Sequence, residues 1–313
     1  MRSSPQRTGV LSRRAFVSGA AAACAGTRLR PEARAAAPSA LGAPKPDVPP
    51  EDYRIQNGRI RQSVYGWCFK PMPTEELIRA CHRMGVPAMD VGKQHYPMLR
   101  KLGMKLTMAG AHGFTRGPLS RDNHAFCIAK LREGIDTAVE CDTGQVITFT
   151  GMREKGVTDE QAARNCVDCW KQVIGYAEEK NVNLCLEILN TRDDTHPMKG
   201  HPGYFGNDVE LCIDLIKRVD SPRMKLLFDV YHVQVMNGDV IRRIRQHQDY
   251  IGHYHVAGAP GRNEPDENQE LYYPAILRAI LETGYTGLVS QEFIPTWPDK
   301  LAALRHAVRL CDI

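Results

Sequence analysis

Four side chains able to bind a divalent cation recur near the ends of apolar runs in the second half of the chain. They are Glu187 in "NLCLEILN", Asp229 in "LLFDVYH", His255 in "IGHYHVAG" and Glu292 in "LVSQEFIP". A carboxylate closing a buried strand is costly unless it is paired, hydrogen-bonded or bound to a metal. Three carboxylates and one imidazole, with no sulfur among them, favour Mn²⁺ or Mg²⁺, with Zn²⁺ or Co²⁺ as the next candidates. Taken singly, Glu187 or Glu292 reads equally as a salt-bridged acid and His255 as a core histidine. One such residue on each of four successive strands is hard to explain by packing.

For the four to meet, their strands must lie side by side and end at one level. From residue 61 the sequence alternates short apolar runs with amphipathic segments. The runs are 62–69, 86–91, 104–109, 145–150, 182–189, 224–230, 250–256 and 287–293. The helical patterns are 74–84, with Thr74 as cap, 96–102, 121–141, 158–179, 207–219, 239–247, 272–283 and 300–310. Eight strand–helix units in about 250 residues point to an α/β fold of the (β/α)8 TIM barrel type, whose active residues sit at the C-terminal strand ends. An open doubly wound sheet is the competing architecture. No GxGxxG follows the first strand and no P-loop occurs, so nucleotide folds lack support.

Several further residues fall near those strand ends. His232, three past Asp229, reads as a donor to a substrate oxygen, or alternatively as a partner that orients Asp229. Arg262, in the loop after strand seven, could fork a substrate carboxylate or pair with Glu264 or Asp266. Glu264 is itself a candidate orienting residue. Tyr65, Trp67 and Phe69 alternate along the first run, which makes Trp67 a candidate wall over the substrate. His112, just past strand three, is a candidate pocket residue. Loop 190–205, holding Arg192, His196 and His201, is long enough to act as a clamp.

The 313 residues carry a net charge of +5, but the first 35 hold seven arginines and one acid. That segment carries +6 and the remainder −1, so the basic excess does not describe a nucleic-acid-binding face. "SRRAFV" (12–17), the Ala-rich stretch to Gly26 and the sites at 33–35 and 35–37 read as a twin-arginine export signal over 1–35. This predicts a periplasmic or exported protein. Cys24 raises the alternative of a lipid anchor. Residues 36–60, rich in proline, read as a linker, and 61–313 as the barrel. No apolar run reaches membrane-spanning length. The ten cysteines read mostly as buried thiols, Cys166-x-x-Cys169 included, because that pair lies inside a helical pattern.

The segments "CLEILNTR" (185–192), "FDVYHVQVMNGDVIRRI" (228–244), "IGHYHVAGAPGRNEP" (251–265) and "ELYYPAILRAILETGYTGLVSQEFIPT" (270–296) resemble the xylose-isomerase-like barrels, and within them the hydroxypyruvate isomerase branch. The resemblance covers roughly 61–310 and is strongest after 180. It implies metal ligation by Glu187, Asp229, His255 and Glu292, with Glu187 and Glu292 as acid and base. It further implies a small hydroxy-keto acid or sugar as substrate, and a dimer or tetramer as a family expectation. Hydroxypyruvate isomerases often carry Gln where this chain has His255, and ketose epimerases carry His. A ketose 3-epimerase is therefore the first alternative to hydroxypyruvate isomerisation. A lyase, dehydratase or hydrolase on a keto-sugar could use the same metal site. An endonuclease IV-type nuclease needs more histidines, and a non-catalytic relative would not need all four ligands.

Overall fold

The computed structural model describes residues 47–313. The expectations placed on the leader, Cys24 included, lie outside the described residues. Eight parallel strands form the sheet in the order β3-β2-β1-β8-β7-β6-β5-β4. They are β1 (Arg61–Tyr65), β2 (Ala88–Asp90), β3 (Lys105–Leu106), β4 (Gln145–Thr148), β5 (Asn183–Glu187), β6 (Met224–Asp229), β7 (Ile251–Val256) and β8 (Leu288–Gln291). The two edges meet at a parallel bridge between Ala109 and Val146, where Ala109 N–H donates to Gln145 O and Ile147 N–H to Ala109 O. That contact closes the ring, and the doubly wound alternative falls with it.

The helices are α1 (Thr74–Met84), α2 (Tyr96–Lys101), α3 (His124–Glu140), α4 (Asp159–Lys171), α5 (Ile174–Glu179), α6 (Val209–Val219), α7 (Val230–Met236), α8 (Val240–His247), α9 (Tyr273–Glu282) and α10 (Lys300–Leu310). Their apolar stripes pack on the strands, as Leu77, Ile78 and Cys81 of α1 and Leu215 and Ile216 of α6 illustrate. Among the described residues no helix is long and apolar enough to cross a membrane. The nine described cysteines are buried free thiols.

Four departures from the sequence pattern have local causes. The apolar run at 62–69 is a strand only to Tyr65; Gly66–Phe69 form a 3-10 turn, so Trp67 leaves the alternation. Thr74 is the first residue of α1 and not its cap, which is Pro73. The pattern at 158–179 divides at Gln172–Val173, and Trp170, Val173, Ile174 and Ala177 all stay buried. An unexpected helix, α7, starts directly at the end of β6. Residues 53–58, expected within a linker, are bound to the barrel. Asp312 accepts from the N–H groups of Gln56, Asn57 and Gly58 and from Tyr53 Oη, while Ile55 N–H donates to Met84 O.

Candidate active site

Glu187 and Asp229 are the last residues of β5 and β6, His255 is the penultimate residue of β7, and Glu292 follows β8 directly. Asp229 pairs in register with His255, and Val256 with Gln291, which brings the four side chains to one level inside the ring. One ligand-competent atom from each lies within 4.8 Å of the others, and all four residues are buried. His255 Nδ1 stands 2.7 Å from Glu292 Oε2, 3.3 Å from Glu187 Oε1 and 3.8 Å from Asp229 Oδ2.

The start of α7 explains why a carboxylate closes an apolar strand. Asp229 is the helix N-cap, and its Oδ1 accepts the His232 N–H at 3.1 Å. Its other oxygen, Oδ2, faces the cluster. Burial works against ionisation of Asp229, but His232, His255 and Arg262 hold its carboxyl well below the usual carboxylate range.

The two glutamates are held differently. Glu292 Oε1 accepts from Trp67 Nε1 at 3.0 Å, and Oε2 meets both His255 and the Arg262 guanidinium. Burial opposes its charge, but Arg262 and His255 keep its pKa below the ordinary value. Glu187 Oε1 has no hydrogen-bond partner. Burial, reinforced by Glu292, pushes Glu187 up to about 7 despite His255. Two carboxylates in one chamber thus differ in proton affinity, the pattern expected of an acid–base pair.

Two histidines two residues apart on β7 show what the cluster does. Burial pushes His253 well below its usual pKa, and its Nε2 lies 2.7 Å from Ser290 Oγ, so it is the core histidine. Burial would also depress His255, but Glu292, Asp229 and Glu187 hold it well above the usual value. Buried Glu187 Oε1 and both ring nitrogens of His255 lack hydrogen-bond partners, although three carboxylates converge there. Converging oxygens around an unsatisfied imidazole nitrogen are the donor set of a divalent cation, and Glu187, Asp229, His255 and Glu292 could hold one.

His232 is buried, and its Nδ1 faces two donors, the Asn190 N–H at 3.0 Å and the Asn190 Nδ2 at 2.7 Å. The backbone N–H is an obligatory donor, so Nδ1 is the acceptor and the proton of the neutral ring sits on Nε2. Burial pushes the ring pKa down to about 3, which keeps it neutral. Nε2 has no hydrogen-bond partner and stands 3.7 Å from Asp229 Oδ2. Asn190 does more than fix this tautomer: its Oδ1 accepts from the N–H groups of Arg192 and Asp193, and its O accepts from His201 N–H. Gly200 passes so close that a Cβ there would sit 2.1 Å from Asp193 O.

The remaining candidates divide. Arg262 is 1% exposed; Nη1 donates to Met198 O at 2.7 Å, and Nη2 to Asp229 Oδ2 at 3.3 Å and to Glu292. Its partners are therefore Met198 O and the carboxylates of Asp229 and Glu292, and neither Glu264 nor Asp266. Glu264 accepts from Thr296 N–H at 2.7 Å and Thr296 Oγ1 at 2.5 Å, tying the β7 loop to the β8 loop away from the chamber. His112 is buried behind Phe149, with Nε2 2.9 Å from Thr148 Oγ1, and is not among the chamber's lining residues. Burial pushes it down to about 4.

A chamber of about 150 Å³ opens over Glu187 and Glu292. Trp67 and Arg262 line it, with Arg262 5.5 Å over the Trp67 ring, as do Tyr65, Phe114, Phe149 and Met198. From loop 190–205, His201 reaches the chamber, whereas His196 is exposed and Arg192 donates to Val235 O. Sequence reasoning missed Asn190 and Asp90. Asp90 ends β2 after an apolar run, the same signal that marked Asp229.

A family model described as the xylose isomerase-like TIM barrel matches residues 75–311. A putative hydroxypyruvate isomerase from Mus musculus is 30% identical over 248 residues, 73% of this chain and 87% of the relative. A 2-oxo-tetronate isomerase from Cupriavidus necator is 35% identical over 119 residues, 38% of this chain, and the match spans only 43% of that relative's length. Among solved structures, a 3-keto-D-glucoside 4-epimerase from E. coli superposes with a TM-score of 0.68 at 15% identity, over 80% of this chain and all of that one, a likeness of fold alone. The sequence match and the closed eight-stranded ring agree: the chain belongs to the xylose isomerase-like TIM barrel family.

Proposed function

We propose that the protein is a metal-dependent isomerase acting on a small hydroxy-keto compound, with conversion of hydroxypyruvate to tartronate semialdehyde as its reaction type. The observation that carries this reading is geometric: Glu187, Asp229, His255 and Glu292 converge within 4.8 Å of one another, and Glu187 and Glu292 line one chamber. The isomerase names of relatives support the same class.

A divalent cation bound by Glu187, Asp229, His255 and Glu292 would stabilise charge developing on the substrate's carbonyl and hydroxyl oxygens. Glu187 accepts the proton from C3. Glu292 is the opposing carboxylate for proton exchange at C2. In balance, one proton passes from C3 to C2 and one from the C3 hydroxyl to the C2 oxygen. His232 Nε2–H donates to a substrate oxygen, its direction fixed by Asn190. Arg262 holds Glu292 ionised and offers charge to a substrate carboxylate. The aromatic walls exclude water from the enediolate.

The test is proton exchange in D₂O buffer with Mg²⁺, followed by NMR on hydroxypyruvate and a panel of ketoses. Deuterium entering beside the carbonyl as product forms, with Glu187→Gln and Glu292→Gln silent, is the expected result. No exchange on any compound at confirmed metal occupancy would sink the reading. A ketose 3-epimerase is the second reading, favoured by a histidine at 255; it would show exchange at C3 of a ketose and none on hydroxypyruvate. The leader points to export, a proposal checked by fractionating cells that express the full chain.

A further inference from the structure

Asp229 and Glu292 each commit one oxygen to the protein frame. Asp229 Oδ1 accepts the His232 N–H, and Glu292 Oε1 accepts from Trp67 Nε1. The oxygens left to face the cluster are Asp229 Oδ2 and Glu292 Oε2. Arg262 Nη2 meets both of them, the first at 3.3 Å. A guanidinium nitrogen thus stands on the same two oxygens that a divalent cation would take. Glu187, the third carboxylate, forms no ion pair with it.

The rest of the arginine is anchored away from the cluster. Nη1 donates to Met198 O at 2.7 Å, the guanidinium lies 5.5 Å over the Trp67 ring, and Arg262 O accepts the Ile294 N–H at 2.7 Å. The segments after β1, β5, β7 and β8 therefore all hold it in place. Its backbone is left-handed, with φ of 53°, which an L-residue adopts at a cost. Its Nε is buried without a hydrogen-bond partner. A strained, incompletely satisfied guanidinium is tolerated in the interior because the two carboxylates pair with it.

The charges decide what that position does. Three carboxylates around one divalent cation leave one negative charge, and Arg262 cancels it. A fixed positive charge in contact with two ligand oxygens repels an incoming cation and competes for their lone pairs. The same charge steadies the buried carboxylates when the cation is away, because uncompensated buried charge is costly. Both effects have one sign, since each lowers the free energy gained when a cation binds.

We infer that Arg262 competes with the divalent cation for Asp229 Oδ2 and Glu292 Oε2, and so sets the metal affinity of the cluster below what its four ligands alone would give. The inference rests on the cation-binding part of the proposed function and on no step of the isomerase chemistry.

The test is Mn²⁺ titration of the full chain, read from the EPR signal of the free ion, with the unaltered protein, Arg262→Met and Arg262→Lys. Methionine removes the charge, whereas lysine keeps it and removes the fork. Arg262→Met should bind Mn²⁺ at least tenfold more tightly, and Arg262→Lys should stay within threefold of the unaltered protein. Thermal unfolding supplies a second readout. In EDTA, Arg262→Met should unfold at a lower temperature than the unaltered protein, and Mn²⁺ should raise that temperature by more. If Arg262→Met folds only with Mn²⁺ present, that dependence is itself the expected coupling. Equal or weaker Mn²⁺ binding by Arg262→Met, or the same tightening in Arg262→Lys, would overturn the inference and leave the cation site in place. No Mn²⁺ binding by any of the three proteins would overturn it together with the cation reading. Tighter binding by Arg262→Met, with no exchange on any carbonyl compound in D₂O, would leave the inference standing and remove the isomerase reading.

Discussion

Strands β5 to β8 run four to six residues, and each delivers one member of the candidate cation-binding cluster at or just past its end. Strands β2 and β3 run three and two residues, and the first half of the ring contributes walls and the neighbouring side chains of Tyr65 and Asp90. These longer strands are in register at their C-terminal ends, Asp229 with His255 and Val256 with Gln291, although β6 and β7 shift register at Leu226–Leu227, and pairing at the ends fixes the side-chain height that a cluster of converging charges demands. Short strands let the backbone turn away early, and beside them lies a cavity of about 410 Å³ lined by Tyr65, Asp90, Leu106 and Thr137. One half carries the converging charged groups and the other shapes the space beside them.

The largest expected effects come from the catalytic half. Glu187→Gln and Glu292→Gln should each lower kcat by roughly 10²- to 10⁴-fold, as loss of a general acid or base does. Chelation with EDTA should abolish exchange in the D₂O assay and Mg²⁺ should restore it. Substrate labelled with deuterium at C3 sharpens the pair's roles. Label carried to C2 would mean one glutamate moves the proton, and full washout would mean that the abstracted proton exchanges with solvent before C2 is protonated.

A smaller effect is expected where the halves meet the long loop. Asn190→Ala removes the side-chain donor to His232 Nδ1 but leaves the backbone donor. Nitrogen NMR should still find the proton on Nε2, while kcat/KM falls roughly tenfold, about 1.4 kcal/mol, as the loop loses its anchor. A fall beyond a thousandfold would place Asn190 in the chemistry itself.

The last effect concerns stability and not rate, and lies in the first half. His112, expected to face the pocket, is buried against Phe149 and Thr148 with its pKa pushed down to about 4. The unfolded chain takes up this proton near pH 6.5, the folded chain only near 4. The stability tied to this group is therefore complete above pH 6.5 and is lost as pH falls through 6.5 toward 4, by about 2 kcal/mol at pH 5. Urea unfolding at pH 7 and pH 5 should show a loss that shrinks in His112→Gln. An unchanged loss would assign the acid sensitivity to other buried histidines, such as His253.

Much of the fold was legible from pattern alone, because alternating apolar runs and helical stripes report burial directly. Glu187, Asp229, His255 and Glu292 were legible because a charged group at the end of an apolar run conflicts with its surroundings, and such conflicts show in one dimension. Asp90 carried the same signal and was passed over, since no matching acids follow β1, β3 or β4. Asn190 gave no signal: an asparagine in a loop is ordinary until the tertiary fold sets it beside His232.

The sequence by itself determined the eight units, the donor set and the strand ends at which those donors stand, for these depend on residue type and local periodicity. Only the tertiary structure decided that Asp229 caps a helix, that Arg262 pairs with Asp229 and Glu292, and that Glu187 and Glu292 line one chamber. It also decided that Tyr65 and Asp90 border one cavity. Each of these depends on distances and burial between residues far apart in the chain, and spacing along a sequence does not encode them.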